Sequence, residues 1–238
     1  MMIISEHGYR TDGRKSHQIR NINCRLGVYP KAEGSAYIEQ GNTKVLCAVY
    51  GPHEGKRSKQ LEERCVINCQ YSMATFSGMD RKSRPRGDRK SSEFSRLLEK
   101  AFESAIITST FPRAQIDVFF EVIQADGSNL AACVNAASLA LADAGIPVKG
   151  LVSAVTCGIV DGTPVVDVNS REETDLMPRL TLATISGGDD VILVELENRV
   201  HIDHFAALME SAKKVTADVH ECLHAAIRTH LVESSALL

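Results

Sequence analysis

The sequence predicts an α+β fold with mixed sheets, and three observations carry that prediction. Short β-branched runs open the chain, one helix pattern with an apolar face follows them, and an Ala-rich helix lies between further strands. The 238 residues, 44% hydrophobic and 24% charged, have the balance of a globular protein able to bury a sizeable core.

Residues 19–29, 36–40, 44–50 and 65–70 are predicted strands, separated by Gly, Pro and Asn signals. Between positions 92 and 110, Phe94, Leu97, Leu98, Ala101, Phe102, Ala105 and Ile106 recur at helical spacing, and Pro112 follows the last turn. QIDVFFEVIQ (115–124) is a strand by its β-branched and aromatic content. QADGSNLAACVNAASLALADAGIP (124–147) predicts a buried helix that ends at Gly145 and Pro147. It opens at Asp126-Gly127-Ser128-Asn129, residue types favoured at N-caps, so the turn is expected to keep a capping geometry. Residues 151–160 and 163–168 flank Asp161-Gly162 as a hairpin, and 180–185 and 191–196 flank Gly187-Gly188-Asp189-Asp190 in the same way. A last helix over 205–231 has Asp203 as its expected cap. No linker or short repeat divides the chain, which reads as a single domain over residues 1–238.

The formal net charge of −3 argues against a globally basic nucleic-acid binder, although a local patch can still act as one. The cysteines, at 24, 47, 65, 69, 133, 157 and 222, form no CxxC pair, so reduced, mostly buried thiols are expected. The start lacks an apolar core of signal-peptide length, and the longest apolar helix pattern is interrupted by Asn135, Ser138 and Asp143. A soluble, intracellular protein with no membrane partner is the expectation.

Three segments invite a functional reading. The loop Arg81-Lys82-Ser83-Arg84-Pro85-Arg86-Gly87-Asp88-Arg89-Lys90 carries six basic residues and one acid, enough to hold several nucleic-acid phosphates, and Lys56, Arg57, Lys59 and Arg64 form an earlier basic stretch. No aromatic residue alternates with the basics of residues 81–90, so base stacking from that loop is not indicated. His220-Glu221-Cys222-Leu223-His224 satisfies HExxH, with His230 ten residues after His220. The longer zinc-peptidase motif needs a Gly where this chain has Ile227, so the helix continues and the two histidines read as one helix face. The Gly-Ser-Asn turn could join a phosphate-using site, for which Asp126, Glu172, Glu173 and Asp175 are the available carboxylates.

Arg10-Thr11-Asp12-Gly13-Arg14, GSAYIEQGNTKVLCAVYGP (34–52), GDRKSSE (87–93), FPRAQIDV (111–118) and the Ala-rich stretch resemble RNase PH-fold ring subunits of the RNA exosome, collinearly over almost the whole chain. The resemblance implies two βαβα-type units around mixed sheets. It implies a six-membered ring of paralogous RNase PH-like subunits, with RNA-binding cap subunits and hydrolytic nucleases as further partners, working on RNA 3′ ends in nucleus, nucleolus and cytoplasm. Active members bind phosphate through a Thr-Arg pair where this chain has Asn129 and Leu130, and carry a general-acid Asp where it has Arg179. An arginine cannot protonate a leaving group near neutral pH. The resemblance thus implies a degenerate catalytic site at Asn129, Leu130 and Arg179, no metal and no cofactor, with single-stranded RNA held by Lys59, Arg64, Arg86, Arg89 and Lys90. An inert scaffold, an active phosphorolytic exoribonuclease and an HExxH zinc peptidase remain as alternatives, in that order.

Overall fold

The computed structural model describes residues 4–5, 7–55, 62–81, 87–160, 162–174 and 176–236. Strands β1 (Ile22–Leu26), β2 (Gly34–Gln40), β3 (Thr43–Glu54), β4 (Val66–Met73) and β5 (Ala114–Gln124) form one sheet in the order β1-β2-β3-β5-β4. It is mixed, because β4 runs parallel to β5 while the other pairs are antiparallel. Parallel neighbours need a crossover, which α1 (Arg89–Ala105) supplies. Strands β6 (Val152–Val160), β7 (Thr163–Val166), β8 (Arg179–Ile185) and β9 (Val191–Glu197) make an antiparallel second sheet in the order β7-β6-β8-β9.

Helix α2 (Asn129–Asp143) lies between the two sheets, and every residue from 130 to 141 is buried. A helix apolar all round suits that position. Its polar interruptions are used as stitches to β6: Asn135 Nδ2 donates to Ala154 O (3.0 Å), Asn135 Oδ1 accepts from Ala154 N–H (2.8 Å), and Ser138 Oγ accepts from Val152 N–H (2.9 Å). Asp143 Oδ2 accepts from Ser35 N–H at 2.9 Å. Gly34 is required at that crossing, because a Cβ there would lie 2.2 Å from Ala140 O. One contiguous buried cluster runs from Ala36 on β2 through α2 to Leu223.

Two predicted helix boundaries move. The helix expected over 92–110 begins at Arg89 with Asp88 as its cap, Oδ1 accepting from Arg89 N–H, and ends at Ala105. Ile106 is already extended and bridges to Val148, so tertiary pairing overrides the apolar periodicity, and a short 3-10 turn over Thr108–Thr110 follows. The last helix, α3 (Ile202–Ala236), starts before Asp203, which lies in its first turn instead of capping it. The Nδ1 of His201 accepts from Asp203 N–H at 3.4 Å and does that job.

A buried clamp ties the start of the chain to the segment after β7. Asp167 accepts four hydrogen bonds: from Arg20 N–H (2.8 Å), Arg20 Nε (3.0 Å), Arg20 Nη2 (2.7 Å) and Gln40 Nε2 (2.8 Å). Burial acts to raise its pKa, but these bonds and the charges of Arg20 and Arg14 prevail and hold it below the usual carboxylate value. Arg10, also buried, pairs with Glu172 and donates to the carbonyls of Val166 and Asp167.

Candidate RNA-binding and degenerate catalytic site

The clamp positions the head of α2. Arg20 Nη1 donates to Asp126 O (2.6 Å) and Nη2 to Gly127 O (3.3 Å), while Thr43 Oγ1 donates to Gly127 O (2.8 Å). Gly127 has φ +81, and a Cβ there would meet Val168 O at 2.5 Å, so only glycine fits. Ser128 occupies the N-cap position in the left-handed region (φ 55, ψ 33) and makes no side-chain cap. This corrects the expected capping role. Its hydroxyl instead donates to Val168 O at 2.9 Å, and Asp126 bonds Asn42 Nδ2 (3.0 Å) and the Ser170 hydroxyl.

The anion acceptor at this helix head comes from the chain itself. Glu173 Oε1 accepts from Ser128 N–H at 2.9 Å, and Glu173 Oε2 lies 3.3 Å from Arg179 Nη1. Arg179 is held on its other side by Glu197, its cross-strand partner on β9. These groups border a cavity of about 200 Å³ whose charged lining includes Glu173, Glu195, Glu197, Arg179, Asp88 and Lys90. Its apolar wall is Tyr71, Met73, Phe94 and Leu130, with Tyr71 and Phe94 in edge-to-face contact at 5.3 Å.

Among the described residues, carboxylates outnumber cations in this cavity, and two of them, Glu195 and Glu173, have raised pKa values, chiefly through burial. Burial, then the charges of Glu197 and Glu93, push Glu195 up to about 7. Glu173 is also raised by burial, against the opposing pull of Ser128 N–H and Arg179. Glu195 was not legible as a site residue. It reads as one polar position in an edge strand, VILVELE, and the packing of β9 beside α1, which carries Glu93 and Lys90, gives it this environment.

The structure brings Asn129, Leu130 and Arg179 together with Lys90 at one cavity. Leu130 is 4% exposed, and its side chain contributes only apolar wall. Arg89 opens α1 and is exposed. Arg64 is exposed but sits 3.5 Å from Glu103. Lys59, Arg86 and Asp175 lie outside the described residues, as do Lys56, Arg57 and Asp161. Of the two adjacent glutamates singled out as candidate acids, Glu172 is spent on Arg10, and only Glu173 faces the cavity.

The HExxH segment lies on α3, which runs unbroken to Ala236. His230 is therefore about 15 Å along the axis from His220, and its Nε2 lies 3.4 Å from Asp143 Oδ1. His220 and His224 stack with ring centroids 6.0 Å apart. The cysteines are unpaired thiols, with Cys47, Cys65, Cys69, Cys133 and Cys157 buried, Cys24 half-buried and Cys222 exposed. Among the described residues no helix is long and apolar enough to cross a membrane.

Comparison with known proteins gives consistent results. Residues 18–147 match the 3′ exoribonuclease family, domain 1, and residues 150–215 match domain 2 of the same family. The chain is 67% identical to the putative exosome complex component RRP41 of Caenorhabditis elegans over 238 residues, covering all of this chain and 99% of that protein. It is 49% identical to the exosome complex component RRP41 of Homo sapiens, covering 99% of this chain and 97% of the relative. The crystal structure of rice (Oryza sativa) Rrp46 superposes with a TM-score of 0.82 at 26% identity, over 92% of this chain and 100% of that one.

Proposed function

Because the chain belongs to the 3′ exoribonuclease family, matched from residue 18 to residue 147 and from 150 to 215, we propose that it is a non-catalytic, RNA-binding ring subunit of an RNA exosome. It guides single-stranded RNA through a ring channel to a separate nuclease. The names of its relatives, exosome complex components, support the assembly. On this reading its neighbours are paralogous RNase PH-like subunits in a six-membered ring, joined by RNA-binding cap subunits and hydrolytic nucleases, in nucleus, nucleolus and cytoplasm. The contiguous buried core supports treating residues 1–238 as one unit.

The observation that carries the absence of catalysis is the state of the cavity at the α2 head. Phosphorolysis needs a free cation to hold inorganic phosphate and an acid to protonate the leaving oxygen. Here Arg179 is engaged by Glu173 and Glu197, and an entering phosphate would face three glutamates. Lys90, at the start of α1, remains to attract an RNA phosphate.

One observation favours a second reading, an active phosphorolytic exoribonuclease. Glu195, with its pKa pushed up to about 7, is a carboxyl group that keeps part of its protons at neutral pH beside the same cavity, as a general acid must. The deciding experiment is degradation of single-stranded RNA by the reconstituted ring without its added nuclease, with and without inorganic phosphate. No nucleoside diphosphate in either arm is the expected result. Phosphate-dependent release that disappears in Glu195→Gln would overturn it and make Glu195 the acid.

A further inference from the structure

The basic loop contains no aromatic residue, yet the segment leading into it does, and the structure holds that segment in a fixed place. Phe76 is 70% exposed and Met79 104% exposed. The turn that carries them is pinned to the body of the protein. Ala74 N–H donates to Val122 O (2.9 Å), Ser77 N–H to Ala74 O (3.0 Å), and Ala125 N–H to Ser77 O (2.8 Å). Ser77 itself is 4% exposed. The last of these bonds sets the turn beside the residue that precedes Asp126, at the head of α2. Met73, just before the turn, shares the cavity wall with Lys90.

We propose that Phe76 is a stacking platform for an unpaired base of single-stranded RNA, with the exposed Arg81, Arg89 and Lys90 gripping the flanking phosphates. The inference rests on the RNA-binding function proposed above and adds a contact of different chemistry. Sequence-tolerant binding of single strands combines a basic track with aromatic rings, because every base has a face to stack. A turn held by three backbone hydrogen bonds has an ordered backbone before RNA arrives, so binding costs little backbone entropy there. The surroundings favour RNA over a protein neighbour: charged residues are depleted from protein interface cores, whereas Asp80 and Arg81 are exposed immediately beyond Met79 and Arg89 is exposed at the start of α1.

The test uses the ring assembled with its partner subunits and a fluorescein-labelled single-stranded oligoribonucleotide, titrated at several salt concentrations. Phe76→Ala and Phe76→Leu are expected to bind about fivefold or more weakly, with the salt slope unchanged because no charge is lost. Phe76→Tyr, which keeps the ring face, restores binding. Wild-type affinity in Phe76→Leu would overturn stacking, since an apolar chain without a ring would then suffice. Failure of the Phe76 variants to enter the ring would overturn it in favour of a subunit contact. The double reversal Arg89→Glu with Lys90→Glu, measured alongside, tests the underlying reading separately by a loss of affinity with a flattened salt slope. If that variant binds normally while Phe76→Leu weakens, stacking stands and the electrostatic path through Arg89 and Lys90 falls.

Discussion

Two clusters of arginines and carboxylates stand on either side of the α2 head, and they differ in what their charges are doing. In the clamp, Arg10, Arg14 and Arg20 face Asp12, Asp167 and Glu172, in equal numbers, and the Asp167 carboxylate accepts four hydrogen bonds in full burial. At the cavity, among the described residues, four carboxylates, Glu173, Glu195, Glu197 and Asp88, face two cations, Lys90 and Arg179, and the Arg179 side chain keeps 20% of its exposure. The carboxylate in the balanced cluster has its pKa pushed down, and Glu195 in the unbalanced one has it pushed up. Balance marks a device that holds backbone segments together. Surplus charge of one sign, next to open space, disfavours a ligand of that sign.

Removing one partner should therefore be far more costly in the clamp. Asp167 has φ 51, a left-handed conformation that Asn tolerates, so Asp167→Asn changes the charge without straining the backbone. It leaves Arg20 buried without its counterion, and the expected loss is about 3–5 kcal/mol in urea unfolding. The wild-type contribution is present above the unfolded pKa of an aspartate and is lost as the pH falls through the depressed folded value. A loss below about 1 kcal/mol would put the clamp in the class of exposed pairs and break the comparison.

How much of this was written in the sequence depends on how local the cause is. The Ala-rich run announces α2 because its burial is a property of composition, and the resemblance over GSAYIEQGNTKVLCAVYGP and QADGSNLAACVNAASLALADAGIP led to the fold. Leu130 and Arg179 could be singled out as cavity positions, because a residue's identity is visible in one dimension. Two kinds of fact could not. Where a helix stops was hidden when the reason lay elsewhere in the chain, as with Ile106 pairing to Val148. Which carboxylate serves which neighbour was hidden too: Glu172 and Glu173 are adjacent in sequence, yet one belongs to the clamp and the other to the cavity. The Ser128 cap failed for a related reason. Asp126-Gly127-Ser128 has turn chemistry, but Gly127 packed against Val168 O leaves Ser128 left-handed, and its hydroxyl is drawn to the same carbonyl.

A smaller effect sharpens the comparison from the other side. Arg179→Gln removes the cation that Glu173 and Glu197 share, but all three side chains keep some contact with water, at 20%, 21% and 33% exposure. The expected cost in urea unfolding is about 1 kcal/mol or less, well under that of Asp167→Asn. Equal losses in the two variants would mean that the cavity is as closed as the clamp and that its surplus charge is structural.

The smallest effect carries the opposite sign. Glu195 has a folded pKa raised to about 7, chiefly by burial and then by Glu197 and Glu93. A carboxyl whose folded pKa is raised binds its proton more tightly in the native state. Stability therefore falls as the pH rises from the unfolded glutamate value to about 7, and the cost is complete above that. Glu195→Gln keeps the shape and a hydrogen-bonding head but cannot ionise. It should match the wild type near pH 4 and be modestly more stable near pH 8, with the difference opening between those limits in urea unfolding. Solvent access at Glu195 keeps that gain small. A variant less stable than the wild type at pH 8 would show that the charged form of Glu195 is supported by a partner, most directly Arg179 or Lys90, and that the cavity is balanced after all.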